Sequence, residues 1–269
     1  AIENQLGLKY FAGAPEDHLG QPMYGIEGRY RKHEPQTFGR QYLRNLIQRA
    51  GFDHTRFLMP FPDYKLPVCI LTEEGLHRTD FDAAELICQT VTKDAQLPTT
   101  TIFSQERVWP ILHQNRLIPD LANSFLIVAS DDPAIVSEPG ILGHYFSTDR
   151  APPYCKETKF VGYNDNPIQV KRYAIAASDC TTRANNEFSY TLSTESPYDQ
   201  GRTLYREFIE IITQPNWRID TVEGYFSRYL NLVSNIVQSE GYTFDTSSPT
   251  SILPGDFLDA IPANIVVTE

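Results

Sequence analysis

Eleven residues near the middle of the chain set the strongest constraint on its fold: Ser130-Asp131-Asp132-Pro133-Ala134-Ile135-Val136-Ser137-Glu138-Pro139-Gly140. They combine three acids, two prolines and a glycine. Proline removes a backbone donor and fixes φ, and glycine loosens the chain, so neither a long helix nor a central strand is expected to run through them. The patterns on the two sides differ. Before the segment, helical spacing alternates with short apolar runs. After it come several short strand-like runs and then two helices. The segment is therefore read as the boundary between an α/β part, residues 1–135, and an α+β part, residues 136–269.

In the first part the clearest helix is residues 36–50. Thr37 is placed to cap it, and Phe38, Tyr42, Leu43, Leu46, Ile47 and Ala50 fall on one stripe. Gly51 stands where a left-handed C-terminal residue belongs. Phe57-Leu58-Met59 reads as a strand stopped by Pro60, and Val68 to Leu71 as another. Helices are expected at 80–92 and 104–118, and Ser124 to Ala129 reads as a fully buried strand. In the second part, strands are expected at 142–147, 157–162, 167–174 and 187–193. A turn at Asn164-Asp165-Asn166-Pro167 makes a hairpin of the middle two. Helices follow at 203–212 and 221–238.

The 34 acidic and 23 basic side chains give a formal charge of −11. That argues against a nucleic-acid partner, which needs a basic face. No apolar run approaches the roughly 18 residues of a membrane span. Cys69, Cys88, Cys155 and Cys180 form no CxxC pair, and four reduced thiols in a cytoplasmic protein are expected. The apolar opening, Ala1-Ile2, and the strand-like close, Asn264 to Glu269, suggest a piece of a longer polypeptide. The strand around Ile2 is expected to lack a parallel neighbour on one side, which would favour low solubility or self-association.

Three stretches carry a resemblance: AIENQLGLKYFAGAPEDHLGQPMYGIEGRY, TFGRQYLRNLIQRAGF and FLMPFPDYKLP. They resemble bacterial S-adenosylmethionine-dependent class I methyltransferases encoded among genes for O-antigen and other surface polysaccharides. The likeness covers residues 1 to about 130, Asn123-Ser124-Phe125 included. It implies that Ile2-Glu3-Asn4 ends a strand whose C-terminal edge carries active-site residues, and that the helix ending Ala50-Gly51-Phe52 leads to the next strand. The family's glycine-rich cofactor turn and its ribose-binding acid lie upstream of the motif matched by residue 1. The resemblance thus implies the C-terminal part of a Rossmann-like methyltransferase sheet, bound to S-adenosylmethionine only in the complete protein and inactive alone. Its acceptor would be a glycan or a lipid-linked glycan, with any membrane association peripheral and through partners.

Methyl transfer is an in-line displacement that needs positioning and, for some acceptors, a general base. Asp17 and His18, in Glu16-Asp17-His18, offer a carboxylate beside an imidazole, with His18 the leading base. The same residues also read as an acidic loop with ordinary turn hydrogen bonds. Glu3 and Asn4 are favoured by their place at a strand end. Asp63-Tyr64-Lys65 reads equally as a substrate-facing loop or a rigid turn.

The second part is similar to protein-kinase-like phosphotransferases. Asp259 and Asn264 match D-x-x-x-x-N, in which the Asp orients the acceptor and the Asn holds magnesium. Ile168-Gln169-Val170-Lys171 resembles the strand whose Lys pairs with ATP phosphates, and Ser196 to Gly201 resembles a hinge. The resemblance implies a truncated protein-kinase-like fold that takes ATP and Mg. A glycine-rich loop and a helical glutamate partner for Lys171 are missing from the pattern. Lys171 also reads as an exposed strand end, and Asp259 and Asn264 as a turn with side-chain-to-backbone bonds. Three functions are weighed: a fragment of a glycan methyltransferase, a kinase-like phosphotransferase acting on a glycan, and a non-catalytic glycan- or protein-binding module.

Overall fold

A computed structural model describes residues 1–163, 166–176, 182–184, 189–248 and 250–268. Asn164 and Asp165 of the expected turn, Cys180, and the first two residues of the 187–193 run lie outside the described residues. The chain forms two compact units. The first is Ala1–Arg183 with Tyr190–Tyr198, and the second is Ala184–Ser189 with Asp199–Glu269.

The first unit is built on an eight-stranded sheet. Its strands in chain order are β1 (Ile2–Glu3), β2 (His54–Phe61), β3 (Cys69–Thr72), β4 (Ser124–Ser130), β5 (Ile141–Ser147), β6 (Lys156–Val161), β7 (Gln169–Ala174) and β8 (Glu195–Pro197). Their order across the sheet is β1-β4-β2-β3-β5-β6-β7-β8. Every neighbouring pair is antiparallel. The architecture is therefore mixed α and β on an antiparallel sheet. The parallel neighbours expected of a Rossmann-like sheet are not found among these strands. The reason is visible in the connections: β2 to β3, β5 to β6 and β6 to β7 are joined by segments shorter than a parallel crossover needs.

Five consecutive residues of β2, Phe57 to Phe61, are buried. The strand does not stop at Pro60. Its ladder to β4 ends at Leu58, while Pro60 pairs with Ile70 of β3. The missing N–H of Pro60 thus falls where the β4 side asks for no donor. The core forms around this strand, with Phe57 edge-on to Phe125 at 5.4 Å and Phe61 edge-on to Trp109 at 5.3 Å. β4 is less covered than its composition suggests. Only Ser124 and Phe125 are buried, because β1 is two residues long and pairs with those two alone. β1 stands at the edge of the sheet, and its strand neighbour there, β4, is antiparallel to it.

Helix α1 (Leu8–Phe11) follows β1 directly. Helix α2 (Arg40–Arg49) begins two residues later than it would with Thr37 as its cap. The Thr37 hydroxyl instead shares a 2.6 Å hydrogen bond with Tyr30 Oη. Gly51 ends the segment at φ 98°, as its position predicts. Of the expected stripe only Leu43 is fully buried, and Tyr42 is 54% exposed. Helix α3 (Glu73–His77) is capped by Thr72, whose Oγ1 accepts from Gly75 N at 3.0 Å. Helices α4 (Ala83–Cys88), α5 (Gln105–Gln114) and α6 (Ile118–Leu121) fall in the two expected helical regions and just beyond them.

The segment 130–140 lies within this unit and joins two strands of its sheet. Asp132 Oδ1 accepts from Ala134 N at 2.9 Å, and Pro133 takes the first position of helix α7 (Pro133–Val136). Asp-Pro here starts a helical turn, a position that suits both residues. The expected division at 130–140 is thus a connection, and the chain passes to the second unit after Tyr198. The proposed hinge contributes its first two residues, Ser196 and Pro197, to the edge strand β8, which pairs with β7.

In the second unit β9 (Arg202–Thr203) pairs antiparallel with β10 (Val266–Val267). Thr203 caps α8 (Leu204–Ile212), and the longest helix is α9 (Ile219–Ser239). A small core gathers Val233, Val237 and Phe257. No helix among the described residues is long and apolar enough to cross a membrane. Cys69, Cys88 and Cys155 are free thiols.

Candidate functional site

The first unit holds a buried cluster of charges. Lys9, on α1, is 1% exposed although it stands in the apolar run Leu8-Lys9-Tyr10-Phe11. Its ammonium donates to Glu3 Oε1 at 3.3 Å, Asp63 Oδ2 at 2.8 Å and Gln96 Oε1 at 2.6 Å. Three acceptors match its three donors, which is what a buried ammonium requires. Tyr10 Oη donates to Glu3 Oε2 at 2.8 Å. Burial and the neighbouring Glu3 carboxylate push the Tyr10 phenol far up, so it stays a donor.

Toward solvent the cluster continues through Lys65. Its ammonium donates to Glu3 Oε1 at 3.2 Å and to Asp17 Oδ2 at 2.8 Å. The Lys65 hydrogen bond holds the Asp17 carboxyl below its usual range. Gln96 Nε2 also donates to Asp17. The mouth of the cluster is therefore Asp17, Lys65 and Gln96, and its floor is Glu3, Lys9 and Asp63.

Two asparagines frame it. Asn4 Nδ2 donates to the carbonyls of Asp120 and Ala122 at 2.8 and 2.7 Å, and its Oδ1 accepts from Leu6 N. Asn123 Oδ1 accepts from Lys9 N at 3.0 Å, and its Nδ2 donates to Pro62 O at 2.9 Å. Asn4 thus ties the end of β1 to the approach to β4. Asn123 ties α1 to the end of β2. Both side chains are committed to backbone groups.

The residues singled out from sequence fall in three places. Glu3 and Asp17 join the cluster, bridged by Lys65. Asn4 braces it. His18 is exposed beside it, its N–H donating to Glu16 Oε2 at 2.9 Å in the turn arrangement weighed for this loop. Lys171 sits on β7 as expected, and its ammonium is 3.3 Å from Glu195 on the neighbouring strand. In the second unit Asn264 Nδ2 donates to the carbonyl of Asp259 at 2.9 Å. That is the side-chain-to-backbone turn weighed for this pair, and it engages the nitrogen end of the amide. Among the described residues no group of three or more His, Cys, Asp and Glu is arranged to hold a metal ion. Asp63 and Lys65, from the stretch that read equally as a substrate-facing loop or a rigid turn, join the cluster, whereas Lys9 and Gln96 emerge only from the fold. The one sequence signal for Lys9 is a lysine flanked on both sides by residues that are themselves buried.

Compared with known proteins, no family model, no curated protein and no solved structure matches the chain.

Proposed function

We propose that the first unit carries the acceptor side of an S-adenosylmethionine-dependent methyltransferase that modifies a glycan or its lipid-linked precursor. The observation that carries this reading is a matter of strand direction. β1 and β2 each pair antiparallel with β4, so they run the same way with β4 reversed between them. Their C-terminal ends share one edge of the sheet. Glu3 and Asn4 stand at the first end, and Asp63 and Lys65 follow the second. In open, mostly parallel α/β sheets ligands bind outside the carboxyl ends of the strands. Neighbouring strands here are antiparallel, so the support is the edge that β1 and β2 share and not the topology of the sheet.

The chemistry fits the same edge. An acceptor hydroxyl must be oriented, and its proton needs somewhere to go. Glu3 and Asp63 offer carboxylate oxygens held in place by two lysines and a tyrosine. Asp17 offers one where the cluster meets solvent. S-adenosylmethionine would supply the methyl group. No motif of this chain matches the glycine-rich turn that the resemblance assigns to it, so no residue here is assigned to the cofactor. No observation among the described residues favours the phosphotransferase reading with ATP and magnesium.

The test is transfer of labelled methyl from S-adenosylmethionine to neutral oligosaccharides by the chain in its full genetic context. Wild-type protein is expected to label them, and Glu3→Gln to lower kcat by roughly 10²–10⁴-fold, the range for a positioned proton acceptor. An unlabelled glycan with the wild type, or an unchanged rate with Glu3→Gln, overturns the reading.

A further inference from the structure

Beyond Gln96 lies a cleft lined by Val91, Thr92, Asp94, Leu97, Pro98, Thr101, Gln105 and Glu106. Its cavity volume is about 310 Å³, at the lower end of the range of small-molecule sites. Two of its lining side chains are more than nine-tenths buried, Asp94 at 8% exposure and Gln105 at 4%. Each keeps one buried polar atom without a partner: Asp94 Oδ2, an acceptor, and Gln105 Nε2, a donor. Unpaired buried groups are costly and rare, and each calls for a partner. Both residues line this one cleft, and the two unpaired atoms, of opposite character, lie just beneath its wall, so a ligand reaches them as the two side chains turn.

We infer that this cleft binds a neutral sugar ring, with adjacent hydroxyls completing the hydrogen bonds of Asp94 and Gln105. A hydroxyl donates and accepts, so a pair of them satisfies an acceptor and a donor together. The rest of the lining has the mixed character that a pyranose presents. Leu97, Pro98 and Val91 offer apolar wall to ring carbons, and Thr92, Thr101 and Glu106 offer further polar partners. The lining holds two carboxylates and no cation, which disfavours phosphorylated or carboxylated ligands. An organic cation would satisfy Asp94 but leave the Gln105 donor unpaired. Burial pushes the Asp94 carboxyl up, so a hydroxyl partner suits it in either protonation state. Its other oxygen accepts from Gln96 N at 2.9 Å, and the Gln96 side chain reaches both Lys9 and Asp17. One residue therefore separates the cleft from the charged cluster. In making the bound sugar a methyl acceptor, the inference rests on the reading above; in placing a sugar in the cleft, it does not.

The experiment is saturation-transfer NMR of the 269-residue chain with methyl glucoside, methyl galactoside and methyl mannoside, with glucose 6-phosphate and choline as charged probes. At least one neutral glycoside is expected to bind. Gln105→Met and Asp94→Ser are expected to weaken it at least tenfold. Lys32→Ala, at an exposed residue outside the cleft lining, is expected to leave glycoside binding unchanged. Gln105→Met is also expected to raise the melting temperature, since it removes an unsatisfied buried amide, so lost binding cannot be ascribed to unfolding. No glycoside binding, binding that survives both cleft variants, or binding of the charged probes alone overturns the inference. Glycoside binding without methyl transfer would sink the methyltransferase reading and leave the cleft assignment standing.

Discussion

Removing the Lys9 ammonium leaves two buried carboxylates, Glu3 and Asp63, without the cation they share. Breaking a buried ion pair from one side typically costs about 3–5 kcal/mol. Lys9→Met should lower stability by about that much in urea denaturation. Lys65→Ala, at the solvent-facing end of the same cluster, should cost less than about 1 kcal/mol. Equal losses would mean that the cluster is not organised around Lys9. Two carboxyls should move stability with pH in opposite senses. Asp17 has a lowered pKa, so its contribution is full above its unfolded value and is lost as pH falls through the folded one. Asp94 has a raised pKa, so its contribution is full below its unfolded value and is lost as pH rises through the folded one. Asp94→Asn should therefore gain on the wild type as pH climbs from the acid range toward neutrality. A stability difference flat across that range would contradict the buried placement of Asp94.

Between elements, α3 lies close against β5 at Gly75. A Cβ on Gly75 would stand 2.1 Å from the Leu142 carbonyl oxygen, which is backbone and cannot yield cheaply. Gly75→Ala should cost more than about 2 kcal/mol by thermal denaturation, as overpacking against a fixed group does. Gly224, within α9, meets nothing within 4 Å, so Gly224→Ala should gain several tenths of a kcal/mol, up to about 1, from helix propensity. These elements were legible to different degrees. Both helices of the second unit, and the strands at 141–147 and 156–161, follow their periodicity closely. α2 was legible by its stripe and by Gly51, but not by its start, because Thr37 is spent on Tyr30. β4 was over-read as fully buried because composition does not reveal that its partner β1 is two residues long. Segment 130–140 was misread as a linker because Asp-Pro is both a breaker and a good helix start.

For the whole molecule, two units with cores of different size should melt separately. The second relies on Val233, Val237 and Phe257, while the first packs more than twenty buried apolar residues together. Calorimetry should show two transitions. Val237→Ala should lower only the first, and Trp109→Ala, at about 3–5 kcal/mol, only the second. A single transition shifted by both variants would mean that the units unfold as one. The candidate site was half legible at this scale. Glu3 and Asp17 stood out as acids near a strand end and in a loop, because such residues advertise themselves locally. Asp63 stood out only within a loop that read equally as a rigid turn. Lys9, Asp94 and Gln105 did not stand out, because what distinguishes them is burial and long-range partnership, neither of which a linear pattern records.

The reversed strand between β1 and β2 also sets an order of events during synthesis. Ile2 finds its partner, Phe125, only after more than a hundred further residues have been made. At about 5–20 residues per second, the first strand waits about 6–25 s on the ribosome before its neighbour exists. Glu3, Lys9, Asp63 and Gln96 all emerge within that interval. Asn123, whose side chain holds both the Lys9 backbone and the Pro62 carbonyl, comes last. A nascent chain halted near residue 110 thus carries every charge of the cluster but lacks Asn123 and the two carbonyls that Asn4 binds.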